Sequence, residues 1–204
     1  GLVNAVLHTV ADEAKPYLAE LKKSSALRDQ ALYWGIPGWA AAQWSKDMSI
    51  SEAKHLVKSS GMRTYLSPRL SRGVDREEWL EEYRASGKKA WASPFLYRSV
   101  RTPANPYPLE IPGFSEGRIT PQSESSMFVA EAFSKRWKGE PLLDMCCGRG
   151  IKTGQLADMM PEAKIEAWDI SEGRIRSAEY EMIRMSARDR VSFFCGDSLR
   201  LEPK

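Results

Sequence analysis

The residues best equipped for chemistry crowd into PLLDMCCGRGIKTGQLADMM, residues 141–160. There Asp144, Cys146, Cys147, Lys152 and Thr153 are interleaved with Gly148 and Gly150. Metal ligation, nucleophilic catalysis and nucleotide binding all use such residues, and the rest of the chain separates them. Only three cysteines occur, Cys146, Cys147 and Cys195. They offer neither the C-x-x-C spacing of a zinc site nor an even disulfide framework, and two adjacent cysteines chelate one tetrahedral ion only with strain. Reduced thiols and no metal are expected. The two histidines, His8 and His55, fall in amphipathic helical segments far from this loop, which leaves a Ser-His-Asp or Cys-His site little material.

A ligand-binding loop remains, and three kinds compete. The dinucleotide fingerprint G-x-G-x-x-G needs glycine at 153, where Thr153 stands. The phosphate loop of nucleotide triphosphatases needs Gly-Lys-Thr in succession, and Ile151 separates Gly150 from Lys152. The third is the S-adenosylmethionine loop of class I methyltransferases, an acid followed by alternating small residues. Asp144, Cys146, Gly148 and Gly150 fit that alternation. Its chain must turn sharply off a strand and approach the ligand closely, which glycine permits. A carboxylate for the ribose should then end the next strand, and Asp169 in EAWDIS lies 19 residues past Gly150. A third strand ends at Gly196-Asp197, where Asp197 can reach the adenine side of the same crevice.

These residues need a scaffold that presents strand ends in register. From residue 117 onward, short apolar runs alternate with helical ones. GRIT reads as a strand, Val129, Phe133 and Trp137 as one helix face, PLLDMCC as a strand and 151–160 as a helix. KIEAWDI is the next strand, about 172–186 the next helix, and RVSFFCGD the third strand of the series. That order predicts parallel βαβ units in a doubly wound α/β sheet. Upstream, residues 1–60 read as helical, with the first helix interrupted at Pro16, a second over about 27–35, and a capping box in SISE, Ser49 to Glu52. Trp39 and Trp44 are assigned to a core. Between them and the sheet, RTYLSPRL and FLYRSV read as strands flanking a helix from Asp75 that carries Trp79, Leu80 and Tyr83 on one face. TPANPYPLEIPGF follows as a proline-rich crossing segment. Three domains are expected: 1–60 helical, 61–115 a small α/β unit, and 116–204 the nucleotide-binding half.

Composition bounds the rest. The chain has 204 residues, 42% hydrophobic and 28% charged, with a formal net charge of +3, the profile of a globular protein. It has no apolar run of membrane-span length and no secretory leader, so a cytoplasmic location is expected. Residues 61–120 hold ten Lys and Arg against seven Asp and Glu, including Arg63, Arg69, Arg72, Arg98 and Arg101, whereas 121–204 hold thirteen against fourteen. That central excess suits either a solvated face or phosphate contact by an RNA-binding unit.

Several stretches together resemble the RsmB/Sun family of RNA (cytosine-5) methyltransferases. GLVNAVL (1–7) is similar to the last helix of that family's NusB-like domain, and IPGW (36–39) to the His/Ile-Pro-x-Trp that follows it. YLSPRLSR (65–72) stands where the family begins a small RNA-binding domain. PGFSEGRITPQSESSM resembles the entry into its catalytic domain, and LDMCCGRGIKT its Asp-x-Cys-Ala-Ala-Pro-Gly-Gly-Lys-Thr loop. Cys147, Gly148, Arg149 and Ile151 depart from that pattern, as does Ser123 after Gln122, which suggests a divergent subfamily.

The resemblance implies the first half of a class I methyltransferase sheet and an S-adenosylmethionine-dependent enzyme acting on C5 of a cytosine in RNA, most commonly ribosomal RNA. Carried over by position, Cys146, Cys147, Gly148, Arg149, Gly150, Ile151 and Lys152 line the cofactor loop, Asp169 holds the ribose and Asp197 faces the adenine. Arg174 falls where the family has an arginine. In that chemistry a thiolate adds to C6 of cytosine, which makes C5 nucleophilic toward the sulfonium methyl, and a base removes the C5 proton. The family's catalytic thiols follow its fourth and fifth strands. No catalytic residue is therefore expected in this chain, and the nucleophile is expected beyond Lys204 in a longer polypeptide. Two alternatives stay open at this point: a class I methyltransferase with another substrate, and a non-catalytic RNA-binding module that keeps the fold.

Overall fold

The computed structural model describes residues 2–62, 65–103 and 107–200 and divides into two compact units, 1–63 and 64–204. Arg63 and the stretch 104–106 of the proline-rich segment lie outside the described residues.

The first unit is four helices: α1 (Leu2–Lys23), α2 (Leu27–Tyr33), α3 (Gly38–Asp47) and α4 (Ile50–Gly61). Helix α1 runs through Pro16 rather than breaking there. A proline removes one backbone donor, but the good helix formers around it, including Ala14, Lys15, Leu18 and Ala19, carry the helix on. Ser49 opens α4 with both halves of a capping box in place, its side chain accepting from Glu52 N while the Glu52 carboxylate accepts from Ser49 N. The core is made of small side chains, Ala31, Ala41 and Val57, with Leu27, Trp34, Ile36 and Trp44 packed against it. Trp39 does not join it. It sits in the first turn of α3 at 77% exposure, because the buried position of that helix is Ala41.

The second unit begins with short antiparallel strands. β1 (Tyr65–Leu66), β4 (Val100–Pro103) and β3 (Trp91–Ala92) form one sheet, and β2 (Pro68–Leu70) pairs with β5 (Ile119–Pro121). FLYRSV supplies only the start of β4. The Ser93 hydroxyl accepts from the amides of Phe95 and Leu96 at 3.1 and 3.2 Å, which folds 93–96 into a side-chain-stabilised turn and keeps it off the ladder. Helix α5 (Arg76–Ala85), capped by Asp75, buries Trp79, Leu80 and Tyr83 against Leu70, Val100, Ile111 and Ile119.

The remainder is a class I methyltransferase-type α/β arrangement. Strands β6 (Leu142–Asp144), β7 (Ile165–Asp169) and β8 (Val191–Cys195) lie parallel in the order β6-β7-β8, with Asp144 opposite Ala167 and Asp169 opposite Cys195. Helices α6 (Glu124–Ser134), α7 (Ile151–Met159) and α8 (Glu172–Arg184) accompany them. The alternation of β7 puts Ile165, Ala167 and Asp169 on the covered face, where Ile165 and Ala167 share a core with Ala157, Ile175 and Met182. Helix α6 presents a different face from the one expected. It buries Met127 and Ala130, leaves Val129 and Phe133 61% and 49% exposed, and ends before Trp137.

Candidate functional site

The loop after β6 is built by its own acid. The Asp144 carboxylate accepts from Cys146 N at 3.3 Å and from the buried Thr153 hydroxyl at 2.7 Å. It therefore ties the strand end to the first turn of α7. Cys147 N donates to Trp168 O at 2.8 Å, and Gly150 N to Cys147 O at 2.9 Å, which closes the turn against β7. Gly150 caps α7 in the left-handed region, at φ 79°, and a Cβ there would lie 2.9 Å from that of Ala178 on α8. The close approach of the two helices thus requires glycine.

Asp169 stands at the carboxyl end of β7, 6% exposed. One of its oxygens accepts from Gly148 N at 3.0 Å and the other from Ser171 N at 2.9 Å. An ionised carboxylate offers about four lone-pair sites, so two remain for a ligand. Arg174 lies 3.7 Å away, largely exposed. Gly196 N donates to Asp169 O at 3.0 Å and draws the end of β8 alongside. Asp197 closes the next turn by accepting from Leu199 N at 3.0 Å.

These strand ends enclose a cleft of about 360 Å³. Of the expected site residues, Cys146, Gly148, Asp169 and Asp197 line it. Gly148 adopts φ 58°, with nothing within 4 Å of where a Cβ would stand, so the space beside its backbone is open to a ligand. Lys152 lines a separate apolar cleft with Val129, Phe133 and Leu143. Cys147, Arg149, Gly150 and Ile151 line neither; the first three form the turn itself and Ile151 begins α7. Arg174 also lines the cleft, as do Met145, Ile170 and Leu199. These three apolar residues were missed by sequence reasoning, which looked for polar groups. For Met145 and Ile170 the signal is an apolar residue directly after a strand-ending acid, Asp144 or Asp169, exposed where a core residue would not be. Acids beside exposed apolar side chains suit a ligand with a flat apolar ring, polar edges and hydroxyls.

The cysteines differ sharply in their surroundings. Cys147 is buried, and that burial, with the carboxylates of Asp144 and Asp169 adding to it, pushes its thiol up to about 12. It is a small apolar packing residue at neutral pH. Cys146 and Cys195 are exposed. No cluster of metal-binding side chains occurs among the described residues, and no described helix is long and apolar enough to cross a membrane.

No family model matches the chain. It is 29% identical over 194 residues to ribosomal RNA small subunit methyltransferase B of Salmonella newport, covering 94% of this chain and 43% of that protein. The protein of the same name from Salmonella arizonae is 30% identical over 178 residues, covering 86% and 39%. The chain thus spans about two-fifths of the length of these relatives. Among solved structures, a methyltransferase homolog from Pyrococcus horikoshii superposes with a TM-score of 0.71 at 22% identity, over 86% of this chain and 58% of that one. NSun6 from the same organism superposes with a TM-score of 0.68 at 15% identity, over 77% and 64%. These likenesses show the fold. The chain is thus similar in sequence to ribosomal RNA small subunit methyltransferase B and in fold to solved methyltransferase-like proteins.

Proposed function

We propose that this chain is the cofactor-binding part of an RNA methyltransferase that modifies C5 of a cytosine in ribosomal RNA. One observation carries the reading: a glycine turn, a buried ribose-type carboxylate and a second acid stand at the carboxyl ends of three consecutive parallel strands around one cleft. Asp169, already oriented by two backbone amides, would accept the ribose hydroxyls through its remaining lone pairs. Asp197 would face the adenine edge, with Met145, Ile170 and Leu199 against the ring, and the bare backbone at Gly148 would leave room for the methionine portion. When bound, S-adenosylmethionine supplies an electrophilic methyl on sulfur. The chain's residues bind and orient it and keep part of it from water.

None of the three cysteines is assigned the nucleophile. Cys147 is buried and protonated, and the two exposed thiols stand at strand ends that hold the cofactor. The ribosomal substrate and the C5 position rest on the named relatives and on the resemblance of the flanking segments. Bisulfite sequencing of ribosomal RNA from cells lacking the gene should show one lost 5-methylcytosine. An unchanged pattern would sink the substrate and position together. Calorimetry of the full protein with S-adenosylmethionine tests the cofactor reading separately.

A further inference from the structure

The outer face of the β1-β4-β3 sheet carries an unusual set of side chains. Tyr65 pairs with Pro103 and Trp91 with Arg101, so strand alternation sends Tyr65, Trp91 and Arg101 to one side while Val100 and Thr102 point into the core. Tyr65 and Trp91 meet edge to face, centroids 5.1 Å apart. The Arg101 guanidinium lies 5.3 Å from the ring centres of both Tyr65 and Phe95. Phe95 is 74% exposed, and with Phe128 of α6, 62% exposed, it walls an open cleft of about 330 Å³ floored by Glu124.

Single exposed aromatics are ordinary on a protein surface. Several rings grouped around one guanidinium are not, and the charge pattern narrows what could cover them. Arg101 donates to both oxygens of Glu124, at 2.9 and 2.5 Å, so the acid of the cleft is neutralised. In the stretch 61–120 ten basic residues stand against seven acidic ones, but Arg69 and Arg98 pair with Asp158 and Arg101 with Glu124, so the surface around the rings is close to neutral. Flat rings with no uncompensated anion among them match nucleobases, whose faces stack on aromatics. Bases within a duplex are already stacked on one another, so an exposed ring gains most from unpaired ones.

We propose that Tyr65 and Phe95, which flank Arg101, and Phe128, which shares the neighbouring cleft with Phe95, form a stacking platform for unpaired bases of the substrate RNA, separate from the cofactor cleft. This rests on the reading of the chain as an RNA methyltransferase and adds where the RNA is gripped. Fluorescence anisotropy of the full protein with a labelled single-stranded RNA 12-mer, and with a blunt duplex of the same sequence, tests it. Phe95→Ala and Phe128→Ala should each weaken single-strand binding roughly five- to hundredfold, the span expected for removing one base-stacking ring. The slope of log affinity against log salt should stay unchanged, since no phosphate contact is lost. Phe95→Trp should bind about as well as wild type, and cofactor affinity in all variants should match wild type, which controls for folding. If the wild type binds single strands and the alanine variants bind equally well, the platform is wrong and the surface serves another partner, such as a protein, while the RNA reading stands. If the wild type binds no RNA, both fall.

Discussion

Replacing Asp169 by asparagine separates two jobs that one carboxylate performs. In the structure its two oxygens accept from two different backbone amides, Gly148 N on the glycine turn and Ser171 N before α8. An amide side chain has one oxygen and one NH2. Whichever way the substituted side chain turned, one backbone N–H would face another donor. At 6% exposure, water cannot readily repair this. An unsatisfied buried donor costs about 1–3 kcal/mol. Residues 64–204 make up the unit concerned, and for a domain of that size each kcal/mol moves Tm by roughly 3–4 °C. Asp169→Asn should therefore lower Tm by about 3–12 °C in the absence of ligand.

Affinity should fall independently. Hydrogen bonds to a charged acceptor are worth about 1.5–3 kcal/mol and those to a neutral one about 1, so two ribose hydroxyls lose about 1–4 kcal/mol together. That is a roughly 5- to 700-fold weaker Kd for S-adenosylmethionine. Differential scanning fluorimetry and calorimetry on the same preparation read both. An unchanged Tm would refute the two-amide geometry. A lowered Tm with unchanged affinity would leave Asp169 as a loop staple and refute its ribose role.

Gly150→Ala forces a left-handed backbone on a residue with a side chain, about 1–2 kcal/mol, and sets its Cβ 2.9 Å from that of Ala178; urea unfolding should show at least that loss. Iodoacetamide at pH 8 should label Cys146 and Cys195 in the native protein and leave Cys147 free until it is denatured, because burial holds that thiol up at about 12; mass mapping of the adducts checks this. The hydrogen bonds from Arg101 hold the Glu124 carboxyl below its ordinary 4.5. A depressed folded value stabilises above the unfolded one, so this contribution is complete above about pH 4.5 and is lost as the pH falls through the lowered value. Glu124→Gln should flatten that part of the stability profile between about pH 5 and 2, measured by denaturant titration at each pH.

The strand-end cleft proposed for the cofactor was legible because its parts are local. Asp144, Gly148, Gly150, Asp169 and Asp197 sit at strand ends that hydrophobic periodicity marks, and a parallel sheet brings consecutive strand ends together whatever the details. The residues that read wrongly depend on tertiary choices. Val129 and Phe133 have helical spacing, but which face of α6 is buried is set by Gln155 donating to Met127 O at 3.0 Å and by the packing of α7, neither visible in a local window. Trp39 is apolar enough for a core that has only alanine-sized room at α3. The turn at Ser93 replaces a strand whose residue types favour one, since a hydroxyl supplies the amides with a partner no propensity scale counts. Lys152 belongs to the loop by sequence position but lines another cleft, because Ile151 starts the helix and the helical turn carries 152 round it.

What joins the antiparallel part of the second unit to the parallel sheet is charge rather than apolar area. Asp158, in the last turn of α7, receives the side chains of Arg69 and Arg98 at 3.3 and 2.9 Å and the amide of Arg72. Arg69 is 1% exposed, and burial pulls its guanidinium down to about 10, opposed by Asp158, so it remains charged at neutral pH. It also donates to Gln122, which donates in turn to Gln155 of α7. On α8, Arg184 bonds Glu181, Thr120 and the carbonyls of Phe114 and Ile119. Such buried pairs add little net stability over apolar contacts, because desolvation offsets their attraction. Their hydrogen bonds supply direction. Both helices are gripped near their C-terminal ends, while their N-terminal ends carry the glycine turn and Asp169. At about 1.5 Å per residue, α7 and α8 are struts of roughly 13 and 20 Å between the β2-β5 pair and the cleft at the strand ends.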